Sequence, residues 1–399
     1  MITFKRAQQL ISENIAKLPL EKTHINQLVG RILAEDVYSK LDIPPFNKSA
    51  MDGYALRAAD PQSLPFKLKC IGIVAAGGDF RKKVKFGECV KIMTGAPIPE
   101  GADSVVMVEY TRKCGGYAEI TKEVKRGQHV CLKGEDIRRG QKVIDSGTKI
   151  TISHISLIAA LGRQFLKTIS LPKVAILNTG GEIIPLGKKL ARNKIYNSNG
   201  PQLCALLASD NINCFNLGVA KDKPSQLKAA IRKGLEYDVL LISGGVSMGD
   251  YDFVPDILKS LGVKNIFHKV KVKPGKPVFF GTKGKKIIFG IPGNPVSGFM
   301  AYQLFIRPAL HKMMGYSEPS LSFEQGFIAK DFCKKGDRKL FSPIKISKDN
   351  SRYYLEPLSS HGSADIYTLA QADGAMMIDE NISCVRKNSQ TLFIRWKKI

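Results

Sequence analysis

Four short, mainly apolar runs constrain this chain more than any other feature. VAIL (Val174 to Leu177), CFNLG (Cys214 to Gly218), DVLLIS (Asp238 to Ser243) and KIIFGIP (Lys286 to Pro292) alternate with helical patterns at the spacing of βαβ units. The clearest helix among them, PSQLKAAIRKGLEY, puts Leu227, Ile231 and Leu235 on one stripe. Parallel strands joined by such helices predict a doubly wound, mostly parallel α/β domain over residues 171–320, with ligands bound beyond the carboxyl ends of the strands.

The flanking regions have a different texture. Phe4, Ala7, Ile11, Ile15 and Leu18 recur at helical spacing up to Pro19, which predicts an amphipathic helix. A second helical stretch, HISLIAALG (His154 to Gly162), can pack near it, so residues 1–41 and 141–170 read as one discontinuous, elongated N-terminal domain. Residues 42–140 are rich in Gly, Pro and β-branched runs such as SVVMVEY (Ser104 to Tyr110), the mark of a β-rich insert. Beyond Leu321 no long helical period survives. Segments such as FSPIKI, RYYLEPL and TLFIRW predict a small, barrel-like β-domain over residues 321–399.

Composition limits the function classes. The N-terminus is interrupted by Lys5, Arg6, Glu13 and Lys17 and lacks the apolar core of a signal peptide, and no window reaches transmembrane length. The eight cysteines are scattered with none at CxxC spacing, so they read as reduced thiols of a cytoplasmic protein and not as a zinc site. Lys and Arg outnumber Asp and Glu 61 to 35, a net charge of +26 that favours polyanionic ligands. The basic residues stand in twos and threes without a zinc-finger or RNP-like pattern, which argues against specific nucleic-acid binding.

Three loops follow candidate strands of the α/β domain: NTGGE (Asn178 to Glu182), SGGVSMGDYD (Ser243 to Asp252) and PGNPVSG (Pro292 to Gly298). Glycine there lets backbone N–H groups approach an anion closely, and a following helix N-terminus adds positive partial charge. None matches GxGxxG or GxxxxGK[ST]. KVKVKPGKP places Lys269, Lys271, Lys273 and Lys276 around a Pro-Gly turn, with Lys271 and Lys273 on one strand face, where ammonium groups could converge on an oxyanion. Carboxylates recur beside the loops: Asp136 in GEDI, Glu182, Asp222 in VAKDKP, Asp250 and Asp252. Such oxygen donors suit Mg²⁺, which takes one or two carboxylates together with substrate phosphates and water. No nucleophile elbow is present.

PPFNKSAMDGYAL, MTGAPIPEGADSVVM, GEDIRRG, NTGGEIIPLG, IYNSNG, LISGGVSMGDYDFV, KVKPGKP and GIPGNPVSGFMAYQLF resemble, in order and over nearly the whole chain, the molybdopterin molybdenumtransferase family, MoeA and the gephyrin E-domain-like proteins. The resemblance implies a transferase of molybdenum cofactor biosynthesis. By the same resemblance, adenylylated molybdopterin and molybdate would be its substrates, AMP and the molybdenum cofactor its products, and Mg²⁺ its required cation. It further implies a homodimer with each active site between the α/β domain of one subunit and the N-terminal domains of the other, and contacts with other proteins of the same pathway.

Residue by residue, the resemblance assigns Asp52 and Thr94 to the site edge supplied by the N-terminal half. Asp136, Glu182, Asp222 and Asp252 go to metal or substrate handling, and Ser243, Gly244, Gly245 and Ser247 to the pterin or its phosphate. The resemblance also implies that Lys273, Lys276, Pro292, Pro295 and Ser297 line the crevice and that Arg338 and Ser363 form the pair near molybdate. The chain departs from the family pattern where relatives often read TGDE, because Gly181 takes the place of one carboxylate. It departs again before GEDI, where HVCLK leaves Lys133 as the only cation ahead of Arg138 and Arg139. A pterin-binding scaffold without turnover, and an adenylyltransferase that consumes ATP, are the rival readings.

Overall fold

In the computed structural model, which describes residues 1–60, 63–246, 252–317 and 321–397, the four apolar runs become neighbouring strands of one sheet. In chain order, with an N-terminal helix α1 (Phe4–Glu13), they are β1 (Val174–Thr179), α2 (Asn199–Ser209), β2 (Cys214–Ala220), α3 (Pro224–Gly234) and β3 (Val239–Ser243). Then follow β4 (Lys264–His268), β5 (Phe279–Lys283), β6 (Lys286–Ile291) and α4 (Pro295–Ala301). The sheet order is β2-β1-β3-β6-β5-β4, parallel across the first four strands and antiparallel across β6-β5-β4. All residues of β1 and β3 are buried, as expected of parallel strands covered on both faces.

The two faces have separate cores. On one, Leu227 and Ile231 of α3 pack with Leu177, Leu240 and Ile242. On the other, α1 joins Leu203, Phe289 and Phe305, and the Phe4 ring meets Phe305 and Phe341 edge-on at centroid distances of 5.7 and 5.4 Å. Phe341 belongs to the C-terminal strand Lys339–Asp349, so this core continues into the C-terminal β-domain. Each such buried aromatic contributes roughly 1.5–3 kcal/mol.

The C-terminal strands close on themselves in the order 339–349, 352–357, 324–328, 390–395, 374–378 and back to 339–349. The pair Val272–Lys273 adds to this barrel beside Lys339 and Leu340. These parts, with residues 1–34 and 149–152, form one compact unit. Residues 35–148 and 153–164 form a second unit, built on a six-stranded sheet ordered 104–107, 53–56, 88–92, 66–74, 117–120, 111–114.

Several expectations are corrected. Helix α1 stops at Glu13, short of the helical pattern that runs through Leu18 to Pro19: the Asn14 N–H caps the Ile11 and Ser12 carbonyls, and Lys312 Nζ reaches the Ser12 carbonyl at 2.6 Å. SVVMVEY is strand only through Met107, after which Val108–Tyr110 turns as a 3₁₀ helix. Four cysteines are not free thiols, because the fold joins Cys204 of α2 to Cys214 of β2 and Cys333 to Cys384. Cys70, Cys89, Cys114 and Cys131 remain free. Lys271 and Lys273 do not share an extended strand face: only Val272–Lys273 is strand, and Lys271 is drawn to Asp337 at 3.3 Å.

Behind α2, Asp210 collects a buried polar network. It accepts from the Tyr302 hydroxyl at 2.9 Å and from Arg307 Nε and Nη2 at 3.0 and 2.7 Å, with His311 Nε2 at 3.5 Å. Tyr302 opens a π turn (Tyr302–Ile306) that continues α4 into the helix Arg307–Met313. Pro308 cannot donate to the carbonyl four residues back, which accounts for the widened turn.

Candidate functional site

The three glycine-bearing loops after β1, β3 and β6 meet around one cavity of about 840 Å³ at the carboxyl ends of the parallel strands. Thr179, Gly180 and Glu182 line it from the first loop, Gly244, Gly245 and Asp252 from the second, and Pro292, Gly293, Asn294 and Pro295 from the third. Glycine is required in the second loop: Gly244 and Gly245 have φ of +94° and +65°, and a Cβ on Gly244 would lie 2.5 Å from the Thr179 carbonyl oxygen. Two loops therefore pack backbone to backbone, leaving the space above them to a ligand. His268 Nε2 donates to the Val246 carbonyl at 2.6 Å and anchors the first part of that loop.

The start of α2 supplies the next wall. Asn199 Nδ2 donates to the Ser243 hydroxyl at 2.8 Å and to the Gly293 carbonyl at 2.7 Å, tying the second and third loops together. Because a carbonyl can only accept, these bonds fix which amide atom is nitrogen, and Asn199 Oδ1 is left as a buried acceptor with no partner among the described residues. Thr179 Oγ1 and both amide atoms of Asn178 are buried and unpartnered in the same way. Of these, Thr179 and Asn199 line the cavity, where such polar groups suit a hydrogen-bonding guest. No role was assigned to Asn197, Asn199 or Tyr196 from the sequence, although all three lie in the IYNSNG motif. Their signal was present, but their function depends on α2 meeting the strand ends.

Glu182, Asp222 and Asp252 all line the cavity. Asp222 Oδ2 accepts from the Gly181 N–H at 2.8 Å, which fixes the first loop against the end of β2. Among the described residues no three His, Cys, Asp or Glu side chains close on one point as a complete metal cage would. The donor set fits a Mg²⁺ ion bound by one or two carboxylates with phosphate and water completing its shell.

Ser243 is buried beneath the lining, held by Asn199, and Ser297 is buried inside α4. Pro277 lines the cavity, whereas Lys273 and Lys276 of the same turn stand exposed outside the lining. Gly275 of that turn packs toward the Ser297 carbonyl. Arg338 Nη1 donates to the Val272 carbonyl at 3.2 Å, beside Lys273. Ser363 is fastened to Asn294, and its neighbours Ala364 and Ile366 line the cavity. Ser247 and Asp250 lie outside the described residues.

Asp52, Thr94 and Asp136 belong to the other unit. There the Thr94 N–H and hydroxyl both donate to Asp52 Oδ1, at 2.7 and 2.9 Å, and these bonds hold the Asp52 carboxyl below its ordinary pKa. Asp136 is exposed on a loop whose backbone pairs with Ile43.

The fold and cavity define a multidomain α/β protein with a cavity where glycine loops end parallel strands. The chain matches the models of the MoeA N-terminal region (domain I and II) over residues 2–162, a probable molybdopterin binding domain over 176–312 and the MoeA C-terminal region (domain IV) over 326–394. It is 32% identical over 385 residues to the molybdopterin molybdenumtransferase of Staphylococcus aureus, covering 94% of this chain and 91% of that protein. The chain belongs to the molybdopterin molybdenumtransferase (MoeA) family. The relative from Staphylococcus epidermidis is 30% identical over 382 residues, with 94% and 91% covered. A molybdopterin biosynthesis MoeA protein from Pyrococcus horikoshii superposes with a TM-score of 0.84 at 30% identity, covering 100% of both chains.

Proposed function

We propose that the protein inserts molybdate into the dithiolene of adenylylated molybdopterin, releasing AMP and forming molybdenum cofactor. The observation that carries this reading is the meeting of three glycine-bearing strand-end loops and three carboxylates around one cavity, in a chain of net charge +26. The volume suits a nucleotide-sized ligand. The backbone of Gly244 and Gly245 can approach phosphate oxygens closely, and Asn199 holds their loop in register with Gly293. Lys273, Lys276 and Arg338 would draw molybdate and phosphate toward the lip. Cleaving the phosphoanhydride is mainly a matter of positioning and charge neutralisation. Mg²⁺ held by one or two of Glu182, Asp222 and Asp252 would supply that neutralisation, while the softer dithiolene sulfurs suit molybdenum. Asp52, Thr94 and Asp136 would come from the second subunit of a homodimer.

The test is direct. Purified protein incubated with adenylylated molybdopterin, Mg²⁺ and molybdate should release AMP and bind molybdenum in equal amounts, and Glu182→Ala or Asp222→Ala should abolish both. Undiminished release by both variants rejects the carboxylate roles. Binding without AMP release would favour a scaffold, and pyrophosphate release from ATP an adenylyltransferase.

A further inference from the structure

Large apolar side chains stand exposed in the wall of a cavity that is also lined by polar groups. Ile195 and Tyr196 are 58% and 42% exposed and Ile366 is 53% exposed, and all three line the cavity. They come from separate elements. Ile195–Tyr196 pairs in parallel with Ile183–Ile184 at the base of a flap of residues 183–196, and Ile366 begins the short helix Ile366–Gln371 next to the barrel.

The flap is preset for this role. The Tyr196 hydroxyl donates to the Lys188 carbonyl at 3.0 Å, so its polar end is satisfied by the flap's own backbone and its ring is what remains for a guest. Lys194 Nζ donates to the Gly181 carbonyl at 2.6 Å and fastens the flap to the first loop. In the C-terminal part of the chain, Asp365 accepts from the Thr368 N–H at 3.0 Å and caps the helix that presents Ile366. Exposed apolar groups brought by separate elements to the wall of one polar-lined cavity mark a place for a flat, apolar-faced ligand group.

We propose that this mouth clamps the planar heterocycle of the substrate between the Ile195–Tyr196 pair and Ile366, with the phosphates directed down to the Gly244–Gly245 loop. The inference rests on the proposed reading of the substrate as a heterocycle joined to phosphate. Adenine and pterin share the required chemistry, a planar ring with two stackable faces.

The experiment measures affinities of the full chain for AMP, for 6-carboxypterin and for ribose 5-phosphate, which has the phosphate without a ring. The proteins are wild type, Ile195→Ala/Ile366→Ala, Tyr196→Ala and Tyr196→Phe. At least one ring probe should bind wild type and lose about tenfold in affinity in the double variant and in Tyr196→Ala. Ribose 5-phosphate should be unaffected, and Tyr196→Phe, which keeps the ring, should stay within about twofold of wild type. Weakening of AMP alone assigns the clamp to adenine, and of the pterin alone to the pterin half. The clamp is overturned if no ring probe binds wild type, if the variants bind ring probes as well as wild type, or if ribose 5-phosphate weakens equally. Molybdate-dependent AMP release, assayed in parallel, keeps the questions apart: turnover by wild type with no clamp effect rejects only the clamp, and a clamp effect without molybdenum transfer rejects only the transferase reading.

Discussion

The Asn294 amide nitrogen donates a 2.7 Å hydrogen bond to the Ser363 hydroxyl, and the Val296 N–H reaches the Ser363 carbonyl at 3.1 Å. These two bonds join the third strand-end loop of the α/β sheet to the segment that carries Ala364 and Ile366 into the cavity wall. Asn294→Ala removes one bond of about 1 kcal/mol and should loosen that wall. The expected outcome is a several-fold rise in KM for adenylylated pterin with little change in melting temperature, read from initial rates and a thermal melt.

Neighbouring glycines should respond oppositely to substitution. Gly244→Ala places a Cβ against the Thr179 carbonyl at a φ of +94°, and should cost about 1–3 kcal/mol in denaturant unfolding while weakening phosphate binding. At Gly181 an added Cβ meets only Asp222 Oδ2, at 3.7 Å, so Gly181→Asp should fold normally. It adds a carboxylate beside Asp222 and Glu182, and Mg²⁺ should then raise the melting temperature more than it does for wild type. An unchanged Mg²⁺ response would count against cation binding at this loop.

Asp210 should govern the acid limit of stability. Burial alone would raise its carboxyl pKa, but the bond from His311 and the charge and bonds of Arg307 outweigh that and hold it below the ordinary 3.8. A depressed carboxylate contributes stability at pH above its unfolded value, and that contribution is lost as pH falls through the folded value. Urea midpoints should therefore hold near neutral pH and drop below about pH 4. Asp210→Asn removes the carboxylate partner of Arg307 and leaves it the bond to Gln303, should cost on the order of 3 kcal/mol at pH 7, and should flatten the acid limb.

Mixed assemblies test the proposed homodimer and the proposed sharing of its site between subunits. Asp52→Ala and Glu182→Ala subunits should each be inactive, yet co-refolded or exchanged mixtures should regain molybdate-dependent AMP release, because one of the two sites in a heterodimer combines two intact contributions. Absence of recovery in a mixture shown to contain heterodimers would place both residues in one subunit's site or outside the site.

The Cys333–Cys384 bond ties two short strands, Phe332–Cys333 and Cys384–Val385, at the edge of the barrel. Cys333→Ser should lower stability by roughly 2–4 kcal/mol under oxidising conditions and change little in excess reductant. Non-reducing peptide mapping should recover Cys333 and Cys384 as one linked pair.

Much of the α/β architecture was legible because its signals are local. Buried strands such as Val174–Thr179 are apolar along their whole length, helix α3 carries Leu227 and Ile231 at helical spacing, and glycine marks the turns that end the strands. The gathering of the three loops on one side followed from parallel connectivity. The end of α1 was misjudged because Ile15 stays buried beyond the last helical residue, so the apolar pattern outlasts the helix.

The sequence alone therefore determined the alternation of strands and helices, the glycine loops and the carboxylates beside them, since each depends on residues a few positions apart. Only the tertiary structure decided that Asn199 bridges Ser243 and Gly293, that Asn294 is bound to Ser363, that Cys333 meets Cys384, and that Ile366 faces the same cavity as Tyr196. Those partners are separated by up to about 170 residues, as Tyr196 and Ile366 are. Periodicity carries no information over such spans, and the meetings arise only when a sheet and a closed barrel pack into one core.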